Sequence, residues 1–141
     1  MKPSRRLAIV LAVTALSVCV APLAMAQPAG APALAAVSND AGGVRVNIKP
    51  KGVGAGLAWE FEIVMDTHTK PLDGDPTKTA VLIDDGGRRY MPLSWQGDAP
   101  GGHHRKGVLR FPAPTGRPTS FEIQIQGLGG VNTRVFQWTM K

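Results

Sequence analysis

The chain has 141 residues, with 16 Lys and Arg against 10 Asp and Glu, a single cysteine and three histidines. That length accommodates one small domain with a modest core. The basic residues are scattered and form neither a helix face nor a stripe interleaved with aromatics, so the net charge of +6 makes no case for a nucleic-acid partner.

The first 26 residues read as a secretory signal. Lys2, Arg5 and Arg6 make a basic start, Leu7 to Val20 is apolar, and Ala24-Met25-Ala26 presents small residues before Gln27. The apolar run falls short of the ~20 residues a membrane span needs, and no second run follows. The expectation is cleavage after Ala26, export to the periplasm or beyond, and no membrane span in the mature form. Cleavage would remove three basic residues and halve the net charge. Leu16-Ser17-Val18-Cys19 has the outline of a lipoprotein box, in which Cys19 would be lipidated instead. Val18 stands where such boxes carry a small residue, which favours cleavage after Ala26. The mature chain would then lack cysteine, and with it any disulfide, thiolate nucleophile or thiolate metal ligand.

Residues 27–41 are rich in Ala, Pro and Gly and poor in anything to bury, so a disordered or extended linker is expected there. Residues 42–141 then form the domain. Its segments alternate apolar and polar with a period of two, the mark of half-buried strands. The expected strands are Val44–Ile48, Leu57–Met65, Ala80–Ile83, a fourth carrying Met91, Leu93 and Trp95, then Gly107–Phe111, Phe121–Gln126 and Thr133–Met140. Asp84-Asp85-Gly86-Gly87 is a hairpin turn. No segment shows a helical period, and Gly and Pro recur between the strands. Seven short strands in about 100 residues predict an all-β domain, a seven-stranded antiparallel immunoglobulin-like β-sandwich. Alternation assigns Trp59, Phe61, Ile63, Leu93, Trp95, Leu109, Phe121, Ile123, Phe136 and Trp138 to its core.

If consecutive strands run antiparallel, the connections after the second, fourth and sixth strands share one pole. Those connections are residues 66–77, 96–106 and 127–132. All three histidines, His68, His103 and His104, lie in the first two, together with Asp66. Sandwich domains build binding sites from loops clustered in this way.

Three segments resemble a family of small secreted or periplasmic immunoglobulin-like domains: Trp59 to His68, Pro92 to Gly97, and Pro100 to Phe111 with its His103-His104-Arg105 block. The resemblance spans most of residues 44–140. It implies the fold and export, and no catalytic role.

Asp66 and His68 are two apart and point the same way in an extended segment. With His103 or His104 they make a candidate ligand set for Cu or Zn, both of which take neutral imidazole. The spacing matches no standard metal motif, and structural histidines that bond loop carbonyls are the alternative. Asp73-Gly74-Asp75 lacks the further oxygen ligands of a calcium loop and reads as a turn. No enzyme is expected: Ser94 has no glycine elbow, Glu60 and Glu62 fall on the solvent face of a strand, and no phosphate loop is present. The competing class is an envelope protein-interaction or assembly module that binds a protein partner through pole loops or an edge strand.

Overall fold

The computed structural model describes residues 33–54 and 57–141. The expected signal sequence, Cys19 and most of the expected linker lie outside the described residues. Among those described, two antiparallel sheets enclose one core. The strands are β1 (Val37–Ala41), β2 (Val44–Gly52), β3 (Trp59–Thr67), β4 (Ala80–Asp84), β5 (Arg89–Tyr90), β6 (Ser94–Gly97), β7 (His104–Phe111), β8 (Ser120–Gln126) and β9 (Thr133–Thr139). One sheet has the order β1-β2-β3-β7-β6 and the other β5-β4-β8-β9. A one-turn helix, α1 (Pro76–Thr79), precedes β4, and a 3-10 turn (Leu128–Gly130) joins β8 to β9. No helix among the described residues is long and apolar enough to cross a membrane.

Period-two alternation accounts for the core. Val44, Val46 and Ile48 of β2, and Trp59, Phe61, Ile63 and Met65 of β3, are buried, while the intervening residues face outward. Phe121, Ile123, Phe136 and Trp138 close the core from the second sheet. Aromatic rings bridge the layers. Phe61 lies 5.8 Å from Phe121 and 5.9 Å from Trp138, and Trp59 meets Phe121 edge-on at 5.0 Å. Such pairs add about 0.5–1.5 kcal/mol each beyond the area they bury.

Two features depart from the expected seven strands. Residues 37–41, read as the end of the linker, form edge strand β1, paired with β2 from Val37↔Ile48 to Ala41↔Val44. The hairpin turns on Gly42 and Gly43, both at positive φ (59° and 77°), as a two-residue turn of this kind requires. The alternation of Val37 and Asn39 was hidden beside the Ala- and Pro-rich stretch. The expected fourth strand is in fact two strands, because the chain leaves the second sheet after Tyr90 and joins the first at Ser94. Pro92, which cannot donate to a ladder, sits in the crossing. Leu93, assigned to the core by alternation, is therefore 62% exposed, and Trp95 is only half-buried. The other eight residues of the expected core are buried.

The pole opposite the histidines is organised by Asp84, whose side chain has no exposed surface. It accepts hydrogen bonds from Gly86 N, Arg88 N, Arg88 Nε and Tyr90 Oη. Burial pushes its carboxyl up, but the bonds from Arg88 and Tyr90 and the Arg88 charge outweigh that, so its pKa lies below the ordinary value.

Phe61→Ala is expected to cost about 3–5 kcal/mol in urea denaturation. Leu93→Ala removes a side chain already in solvent and is expected to stay within about 0.5 kcal/mol; equal costs would contradict the strand crossing. Because the folded pKa of Asp84 is depressed, its contribution is complete above the ordinary carboxylate range and is lost as pH falls through the folded value. The urea midpoint of Asp84→Asn should lie below wild type at neutral pH, and the gap should narrow on acidification. A gap independent of pH would contradict this.

Candidate functional site

Two buried arginines hold the loops of the histidine pole. Arg134 projects inward from β9, in phase with Phe136 and Trp138, and is 1% exposed. Its Nη1 donates to Asn39 Oδ1 and Val44 O, and its Nη2 to Ala41 O and Leu128 O. It thereby ties the β1–β2 hairpin to the β8–β9 connection. The two segments approach so closely that a Cβ on Gly42 would collide with the Gly129 carbonyl. Burial pushes the Arg134 pKa below its ordinary value, with Asp40 opposing. An arginine so placed remains a cation.

Arg105 projects inward from β7 and is 3% exposed. Its Nη1 donates to Leu72 O at 3.0 Å and Gly74 O at 2.6 Å, and its Nε to Asp98 O at 3.1 Å. It thus joins the β3–β4 connection to the β6–β7 connection. Gly101 N adds a bond to Leu72 O at 3.1 Å. The guanidinium also lies 5.3 Å from the centre of the Trp95 ring. Gly107 leaves room for that ring, since a Cβ there would approach within 2.6 Å of it.

With the loops fixed, the histidines come together. Thr67 is the pivot. Its N–H donates to His103 O at 2.9 Å, its hydroxyl donates to Gly43 O at 2.8 Å, and the same hydroxyl accepts from Thr69 N and Lys70 N. The first bond sets His103 beside the end of β3, and the last two turn the chain as it passes His68. On the outer face, the register aligns Asp40, Arg45, Asp66 and His104 across β1, β2, β3 and β7. Arg45 pairs with Asp40 at 3.1 Å, and His104 Nδ1 with Asp66 Oδ1 at 2.5 Å. His104 and Asp66 keep more than half their side-chain surface in solvent. An open concavity is lined by Asp40, Arg45, Asp66, His68, His103 and His104.

The four residues singled out from the sequence therefore share one surface. They do not form a ready-made coordination sphere: among the described residues, no group of three or more His, Cys, Asp or Glu stands where it could hold a metal ion. Asp66 is engaged by His104. As the solvent-face reading implied, Glu60 and Glu62 point outward, paired with Arg110 and Lys106. Asp75 caps α1, accepting from Thr77 N and Thr77 Oγ1, and Asp73-Gly74-Asp75, read as a turn, is irregular chain leading into that helix.

Arg105, Arg134 and Thr67 were missed in the sequence, although the signal for the arginines was present. Arg134 precedes Phe136 and Trp138 by two and four residues, and Arg105 precedes Leu109 by four, so the alternation that assigns the apolar core assigns both arginines inward too. The concavity's charged rim was missed because Asp40 was placed in a linker. No family model, curated protein or solved structure matches the chain.

Proposed function

We propose that this chain is an exported, non-catalytic binding domain of immunoglobulin-like topology that takes up a Cu or Zn ion at the histidine-lined concavity. The topology is supported by strand order: β2-β3-β7-β6 opposite β5-β4-β8-β9 follows the ABED and CFG arrangement, with β5 as an added edge. Export rests on the N-terminal pattern of residues 1–26.

The observation that carries the metal reading is the convergence of all three histidines, from two distant segments, on one solvent-open surface. The Asp66–His104 pair gives Asp66 a role other than ligand. A carboxylate that accepts from Nδ1–H fixes the imidazole tautomer and leaves the Nε2 lone pair for a metal. His68 and His103 are exposed at strand ends, and the reading requires their side chains to rotate so that their nitrogens reach an ion held at His104. Such a site is assembled by the ion rather than waiting for it.

The Asp40–Arg45–Asp66–His104 row favours a second reading. It presents charges of alternating sign on one face, with Asp66 already satisfied, and this suits recognition of a protein partner in which the histidines are structural.

Calorimetric titration of Zn²⁺ and Cu²⁺ into the untagged chain from residue 27 distinguishes the readings. Saturable binding is expected, with His68→Ala, His103→Ala and His104→Ala each costing about tenfold or more. Asp66→Asn should also weaken binding about tenfold through loss of orientation. Binding should weaken as pH falls, because protons compete for the imidazole nitrogens. No saturable binding, or full affinity in the triple histidine variant, would sink the metal reading and leave the interaction module.

A further inference from the structure

The inner side of the same sheet carries a different feature. A cavity of about 250 Å³ lies at the histidine pole, between the sheets and beneath the β3–β4 and β8–β9 connections. Its walls are largely apolar, with Ile63 and Met65 from β3, Ile125 from β8, and Leu72 and Leu128 from the two connections. The charged side chains in the lining are Arg105 and Asp73. Asp73 is exposed, whereas Arg105 is almost fully buried.

Each arginine leaves one guanidinium nitrogen without a partner among the described residues, but Arg134 Nε is sealed from solvent whereas Arg105 Nη2 keeps accessible surface. Both Nη atoms of Arg134 are bonded to protein oxygens. Arg105 spends Nε and Nη1 on carbonyls, and among the described residues its Nη2 has no hydrogen-bond partner and its guanidinium no carboxylate in ion-pair range. A nearly buried cation with an accessible unused donor, at the wall of an apolar void, is complementary to an anion with an apolar body. Volume limits the size of that body. A dry cavity of ~150 Å³ holds benzene, so this one holds a molecule of about ten heavy atoms.

We propose that this cavity binds a small apolar monocarboxylate, with its carboxylate on Arg105 and its hydrocarbon between Ile63, Met65, Ile125 and Leu128. A medium-chain fatty acid such as octanoate has the required size and charge. The site is independent of the histidine concavity, because β7 points His104 outward and Arg105 inward.

The test is titration of octanoate into isotopically labelled protein, followed by methyl resonances, with 1-octanol as the neutral match and acetate as the charge without the tail. Octanoate should shift the Met65, Leu72 and Ile125 methyls saturably. Octanol and acetate should each bind at least tenfold more weakly. Ala80→Met fills the cavity from its wall and should weaken octanoate at least tenfold while the fold persists. Arg105→Lys keeps a charge but loses the planar fork, and should narrow the preference for octanoate over octanol. No saturable shift with octanoate, equal affinity for octanol, or undiminished binding to Ala80→Met would each overturn the proposal.

Discussion

Burial of two guanidinium groups among backbone carbonyls is the constraint on which the histidine pole depends. A buried cation costs several kcal/mol unless its donors are bonded. The carbonyls of tight connections have the converse problem, since no sheet ladder reaches them. Arg134 and Arg105 go far to answer both needs together, with Arg134 Nε and Arg105 Nη2 the donors left without a partner among the described residues. Arg105 accounts for Leu72, Gly74 and Asp98, and Arg134 for Leu128 and for Ala41 and Val44, the strand residues that flank the β1–β2 turn. Four of these six bonds join segments far apart in the chain, and the other two hold the connection that leads into each arginine's own strand. Four connections that glycine and proline would leave free are thereby held in one arrangement, without a disulfide among the described residues.

The pleat of β7 converts that arrangement into two surfaces of opposite character. His104 faces solvent and meets Asp66 across the ladder, while Arg105, the next residue, faces inward and borders the apolar cavity. Thr67 of β3 links the two sides, because its backbone fixes His103 and its hydroxyl fixes the β1–β2 turn. A one-residue slip between β3 and β7 would exchange the faces, burying the imidazole and exposing the guanidinium. The Trp59↔Phe111 and Phe61↔Leu109 pairs, buried on one side of the same ladder, oppose such a slip.

Much of this was legible in the sequence. Alternation from Trp59 to Met65 and from Phe121 to Ile125 identified which residues face the core, and strand parity brought residues 66–77, 96–106 and 127–132 to one pole. The bonds from Arg105 to Leu72 O and Asp98 O, and from Arg134 to Leu128 O, show those loops meeting or tied at that end. What alternation could not reveal was a change of sheet within an unbroken pattern. Met91, Leu93 and Trp95 keep the period of two while the chain crosses from one layer to the other, so Met91 and Leu93 point to solvent and Trp95 alone packs against the core. Side-chain chemistry was harder still. The sequence placed Asp66 and the histidines together, but not the pairing that makes Asp66 a partner of His104 rather than a free ligand.

Native-state hydrogen exchange tests the central claim most directly, because each arginine is assigned its own loops. In Arg105→Met, exchange at Gly101 N, which bonds to Leu72 O, should accelerate while Gly127 N and Val131 N keep their wild-type rates. In Arg134→Met, Gly127 N and Val131 N should accelerate and Gly101 N should hold. If neither substitution changes these amides, or both change all three alike, the two guanidinium groups do not hold the pole separately, and the account of how its loops are fixed is wrong.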